Sequence, residues 1–180
     1  MTRNLLAALL LAAATVPWAG SANATVAASG AGGFTIVIEV DVAAPPDAAY
    51  RAFTVGPALW WDPEHTYSGK AERLSPDAHA GGCFCEVMDG GGSVSHGTVL
   101  YADPGQMLRL SAALGPLQDM AVVGVLSFAF APRPTGSHVT LIYRVAGEFT
   151  SDAVALAKLV DSVLTQQMKR FAAHVDDHKD

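Results

Sequence analysis

DAVALAKLVDSVLTQQMKRFAAHV, residues 152–175, is the stretch on which the fold turns. Leu156, Leu159, Val160, Val163, Leu164, Met168, Phe171 and Val175 recur at three- and four-residue spacing, with Lys158, Asp161, Lys169 and Arg170 on the other side. That is one amphipathic helix, about 36 Å long for roughly 24 residues. Its apolar stripe needs a sheet to cover it. A single antiparallel sheet can close on so long a helix only by curving around it, which tends to leave a cavity.

Working back toward the N-terminus, the chain supplies that sheet. Phe34, Ile36, Ile38, Val40 and Val42 alternate with Thr35, Val37, Glu39 and Asp41, the pattern of a half-buried strand. Further strands are expected at Lys70–Leu74, Cys83–Met88, Val94–Tyr101, Met107–Ala112, Met120–Ala131 and His138–Ala146. Breaks rich in Gly and Pro separate them: Pro76-Asp77, Gly90–Gly92, Asp103–Gly105, Gly115-Pro116 and Pro132–Gly136. Asp47–Thr54, led by Pro45-Pro46, reads as a short helix burying Tyr50 and Phe53, and Pro57–Trp61 as a further helical turn. The fold class is α+β: strand, two short helices, about six strands, long helix.

The chain of 180 residues carries 17 acidic against 11 basic side chains, a net charge of −6. No basic cluster marks it as a nucleic-acid binder. Arg3, the apolar run Leu5–Val16 and the small residues Ala22-Asn23-Ala24 read as a secretory signal cut after Ala24. The run is too short for a spanning helix, so no stable membrane anchor is expected after its removal. Residues 25–33 read as a flexible leader, 34–175 as one domain and 176–180 as a tail; the product is expected to be periplasmic or secreted.

The element order resembles the START-like or SRPBCC superfamily, the helix-grip fold, most closely its Hsp90-ATPase-activator-homology branch. The resemblance rests on Ala44-Pro45-Pro46-Asp47-Ala48-Ala49-Tyr50, Gly81-Gly82-Cys83-Phe84-Cys85-Glu86, His96-Gly97-Thr98-Val99, Asp103-Pro104 and Val139-Thr140-Leu141-Ile142-Tyr143. Residues 60–69 with 114–118 are similar to an exported subgroup. The resemblance implies a pocket for a small hydrophobic or amphipathic molecule, since members bind lipids, sterols, hormones or quinones and some cyclise polyketides. A partnership with Hsp90 is not expected, because a signal peptide takes the chain away from the cytosol. Nor are the cysteines of an iron–sulfur cluster present.

Candidate ligand contacts are Trp60, Trp61, His65 and Tyr67 at the cavity mouth, with core packing at the open end as the alternative and the expected state of the two tryptophans, Cys83, Cys85, Phe128 and Tyr143 on the sheet, and Leu164, Met168 and Phe171 on the helix. Cys83 and Cys85 share one strand face with Cα atoms roughly 6.6 Å apart, so a disulfide between them needs distortion. Packing as small apolar groups under the helix is the expected state, with a thiol or metal role and a local disulfide as alternatives. A hairpin centred on Gly91 sets Glu86 opposite His96. That pair is a candidate acid and base if it faces the cavity, or a solvated ion pair if it faces out. His65, His79, His96, His138 and the cysteines match no standard zinc spacing, so no metal or cofactor is expected. Three functions follow: a ligand-binding protein; a cyclase- or hydrolase-like enzyme using Glu86 and His96, or His65 and Tyr67; an interaction module with a filled core.

Overall fold

Alternation decides which side of each strand is dry. In the computed structural model, which describes residues 22–178, the inward residues of β2 (Gly33–Val42) are Phe34, Ile36, Ile38, Val40 and Val42, all buried. They are in register with β8 (Ser137–Glu148), where Ile38 faces Leu141 and Val40 faces Val139. In turn β8 pairs with β7 (Ala121–Pro132), where Leu141 faces Phe128 and Tyr143 faces Leu126. The remaining strands are β1 (Asn23–Gly30), β3 (Leu74–Pro76), β4 (Cys83–Val87), β5 (Ser93–Asp103) and β6 (Met107–Ser111). All eight form one antiparallel sheet in the order β1-β2-β8-β7-β6-β5-β4-β3.

Three α-helices among the described residues complete the α+β helix-grip fold: α1 (Pro46–Val55), α2 (Pro57–Trp60) and α3 (Ala153–Asp177). Asp152 starts α3 by accepting a hydrogen bond from Val154 N (2.9 Å), a cap that satisfies one of the helix's free N–H groups. The helix packs across β2 and β1 and buries Leu156, Leu164, Met168, Phe171 and Val175. Leu159 of the expected stripe is instead 65% exposed.

Several expectations need correction. Residues Asn23–Gly30, read as the end of the signal and a flexible leader, form edge strand β1 against β2. Their small side chains give little hydrophobic alternation, yet the backbone pairs with the free edge of β2. The strand expected at Lys70–Leu74 is a 3₁₀ turn at Ala71–Arg73, closed by Leu74 N donating to Ala71 O and burying Ala71, followed by β3. Asp176, assigned to a tail, lies in α3 and accepts a hydrogen bond from Ala43 N (2.8 Å). Residues 1–21 of the signal segment lie outside the described residues, and no helix among the described residues is long and apolar enough to cross a membrane.

The pairing of β5 is irregular on both sides. Its pairing skips His96 against β4 and Leu100 against β6, two bulges in one strand. Gly97 follows the first bulge; a Cβ there would lie 2.9 Å from both Ala112 Cβ and Ser111 O, so the close approach of β6 admits only glycine.

Candidate functional site

The concave face of the sheet holds two adjoining spaces. The inner one, about 50 Å³, is enclosed by Val99, Leu108, Leu110, Leu126, Phe128 and Leu141 of the sheet, Phe84 of β4, Phe53 and Trp60, and Leu164, Gln167 and Met168 of α3. The outer one is an open groove of about 410 Å³ between the first half of α3 (Leu156, Leu159, Val160, Val163, Leu164), the loop Glu64–Tyr67 and the turn Leu114–Pro116, with His96 in its wall. Trp61 and Leu164 line both. These two side chains are therefore the partition.

Trp60 is core: it is buried against Phe53 and Phe171 (ring centroids 5.1 and 5.3 Å), with Nε1 donating to Ala52 O. Trp61 is half-buried, touches Phe84, and donates Nε1–H to His65 O (3.1 Å). Polar side chains of α3 pin this segment. Arg170 Nε donates to Trp60 O (2.8 Å), Gln166 Nε2 to Asp62 Oδ2 (2.7 Å), and Gln167 Oε1 accepts from Asp62 N (2.9 Å). Sequence reasoning missed Asp62, Gln166 and Gln167. The signal was present, since Gln167 falls between Leu164 and Phe171 in the apolar stripe, where a polar residue needs a partner.

The polar corner of the groove is built on Glu86, which is 0% exposed. Its Oε1 accepts from Ser68 N (2.5 Å), and its Oε2 from Tyr67 N (3.1 Å) and His96 Nε2 (2.9 Å). Burial pushes this carboxyl up, but the donors from Ser68, Tyr67 and His96 outweigh it and hold it below the usual glutamate range. An ionised Glu86 only accepts, so Nε2 of His96 carries a hydrogen and donates it to Oε2. The hairpin is centred on Gly90 rather than Gly91, so Glu86 pairs with Val94, not with His96. The two side chains still meet, diagonally and on the buried face, and the solvated alternative is excluded for them.

The other expected contacts divide. His65 lines the groove, and its buried Nδ1 has no hydrogen-bond partner. Tyr67 crosses the mouth, its hydroxyl donating to Gly115 O (3.2 Å) and its ring 5.9 Å from that of His96. Phe128, Leu164 and Met168 line the inner space. Phe171 lines neither; it fills the core between Phe53 and Trp60. Tyr143 also lines neither. It donates to Ala112 O (3.0 Å) and accepts from Leu114 N (3.2 Å), and burial pushes its hydroxyl up to about 12. Cys83 and Cys85 are joined in a disulfide, their Cα atoms 5.3 Å apart, and line neither space. That separation is shorter than the roughly 6.6 Å of a regular strand, so β4 is locally contracted at the pair. Among the described residues, no three His, Cys, Asp or Glu side chains converge as a metal site would require.

Residues 33–176 match the family described as polyketide cyclase / dehydrase and lipid transport, and β1 lies outside that match. No curated protein matches the chain. Its structure is similar to that of protein MLL2253 from Mesorhizobium loti, at 23% identity and TM-score 0.59 over 81% of this chain and 98% of that one. Protein CV1439 from Chromobacterium violaceum is similar at 21% identity and TM-score 0.56, over 79% and 96%. Protein Ms6760 from Mycobacterium smegmatis is similar at 18% identity and TM-score 0.55, over 79% and 88%. Identities this low speak for the fold alone. Sheet order, gripped helix and family match agree: the chain belongs to the polyketide cyclase / dehydrase and lipid transport family of the SRPBCC superfamily.

Proposed function

We propose that the protein binds a small hydrophobic or amphipathic molecule whose bulk lies in the outer groove and whose end passes Trp61 into the inner space. The observation that carries this is the pair of volumes. Ligand sites usually occupy roughly 300–1,000 Å³, so the inner space of about 50 Å³ is too small alone, whereas the groove of about 410 Å³ is not. Leu159, Val160 and Val163 give the groove an apolar floor, and His65, Tyr67 and His96 give it polar edges. This departs from the simplest cavity expectation, because side chains fill most of the interior.

The proposal extends to export. A Cys83–Cys85 disulfide suits an oxidising compartment, and a cut after Ala24 would leave Thr25–Gly30 of β1 in place. Intact mass of the chain recovered from the cell envelope or medium tests it: a product beginning at Thr25 is expected, and retention of Met1 overturns it.

Binding is tested with 1-anilinonaphthalene-8-sulfonate. Saturable one-to-one binding is expected, weakened about tenfold by Trp61→Ala and retained in Glu86→Gln. A protein that takes up no probe is an interaction module with a closed core. The His96–Glu86 contact favours a second reading, acid–base catalysis on the bound molecule. Glu86 has both oxygens engaged by protein donors, so it would position His96 while His96 moves the proton. Loss of turnover in His96→Ala with probe binding intact would select the enzyme.

A further inference from the structure

The outer face of β4 carries a cross-link that ligand binding leaves unused. Phe84 and Glu86 point inward, the first to the inner space and the second to His96, so Cys83 and Cys85 point outward by alternation. Both cysteines are half-buried, and the side chains beside them are short hydroxyls. Cys83 pairs with Thr98, and Cys85 with Ser95 on one side and Ser75 on the other, all three exposed. Only one residue separates the two cysteines, so they are close even in an unfolded chain and the bond removes little loop entropy. The strand does not favour closure either, since a regular one would hold the Cα atoms roughly 6.6 Å apart, against 5.3 Å here. A disulfide that ties nothing distant and faces outward is of the kind that exchanges.

We propose that Cys83–Cys85 is a thiol–disulfide exchange site for an external dithiol, and that its redox state sets the position of Phe84 in the wall of the inner space. A thiolate of the dithiol attacks Cys85 Sγ, the S–S bond breaks, and the electron pair leaves on Cys83 Sγ. Ser95 Oγ lies 3.7 Å from that sulfur and its O–H donates to the departing thiolate. The second thiolate of the dithiol then attacks the dithiol's own sulfur in the mixed disulfide and releases Cys85. The dithiol is oxidised to a disulfide, the protein gains its electron pair, and the protons it lost end on Cys83 and Cys85. Once parted, the two Cα atoms are free to separate toward the spacing of a regular strand. Phe84 lies between them, its ring centroid 5.7 Å from that of Trp61 and 5.1 Å from that of His96, so lengthening β4 there moves it. Neither step depends on what the groove binds.

The test incubates the full chain with dithiothreitol, in native buffer and in guanidinium chloride, and counts thiols by alkylation and intact mass. Both cysteines of the folded protein are expected to be alkylated at a rate within about tenfold of that in the unfolded chain, with circular dichroism unchanged. A folded-state rate more than about a hundredfold slower would reveal a shielded, structural bond and overturn the proposal. So would reduction that unfolds the protein. NMR follows the second step: on reduction the ring signals of Phe84 and the indole N–H of Trp61 should shift, while Ile38 and Leu141 stay in place. Unmoved signals in the reduced protein overturn the coupling to Phe84. Cys83→Ser with Cys85→Ser should show the shifted spectrum with and without dithiothreitol; signals that still respond to the reagent there would overturn the assignment to this pair. Where that variant fails to fold, the reduced natural protein still decides.

Discussion

The two halves of the sheet are built differently. In β2, β8 and β7 the register runs without interruption, Gly33 to Val42 against Ala146 to Ser137 and Ala121 to Pro132 against Glu148 to Ser137. Their inward residues from Phe34 to Val42, Leu126 to Phe130 and Val139 to Val145 are nearly all large and apolar. In β4, β5 and β6 the register breaks at His96 and again at Leu100. Here a carboxylate, an imidazole and a disulfide lie within a few residues of one another. Regular pairing makes a wall; the broken half makes a corner with chemistry in it. The bulge lets two consecutive residues, His96 and Gly97, both turn inward and be buried, which strict alternation forbids.

The contrast has measurable consequences. The largest effect is expected where α3 closes both spaces. Leu164→Asp, which places an unpaired carboxylate among Phe128, Leu141 and Met168, should destabilise the fold by about 3–5 kcal/mol in denaturant unfolding. A shift under about 1 kcal/mol would mean that the stripe faces solvent and that the helix is not gripped. Next comes the corner itself. Glu86→Ala strips an acceptor from Tyr67 N, Ser68 N and His96 Nε2 and should cost about 2–4 kcal/mol. Hydrogen exchange at the amides of Tyr67 and Ser68 should accelerate far more than at Ile38 or Leu141 in the regular half. Uniform acceleration would show that the halves open together.

Acid should act on the same corner. The folded pKa of Glu86 is lowered from its ordinary 4.5, so its stabilising contribution is present above about 4.5 and fades as pH falls through the folded value. Glu86→Gln should flatten that limb of the stability–pH curve; an unchanged limb would point to other carboxylates, such as Asp41 beside Arg133 and His138, which is lowered too. The smallest effect is expected at the disulfide. It closes a loop of only a few residues, so Cys83→Ser with Cys85→Ser should cost about 1–2 kcal/mol. A loss comparable with that of Glu86→Ala would show that the bulge depends on the cross-link.

The sequence by itself determined the wall and the helix. Phe34–Val42 and residues 152–175 carry clean two- and 3.6-residue periods, and burial against water rewards those periods wherever the segments end up. It also marked two separate sets, Glu86 with His96 across the expected hairpin and Trp60, Trp61, His65 and Tyr67 at the expected mouth, but not that they adjoin. What it could not determine is set by position across the sheet. The hairpin at Gly90 and the bulge at His96 depend on how β4 seats against β5 and β6, which no local period encodes. β1 has almost no hydrophobic pattern and is held by the edge of β2. Phe171 and Tyr143 were expected to line the cavity, the first from its place in the helical stripe, but the aromatic cluster at Phe53 and Trp60 takes Phe171, and the Ala112–Leu114 backbone takes Tyr143. Gln167 shows the divide most plainly. Its place in the apolar stripe is written in the chain, but only the fold commits its oxygen to Asp62, because hydrogen-bond partners 105 residues apart are chosen by packing and not by local sequence.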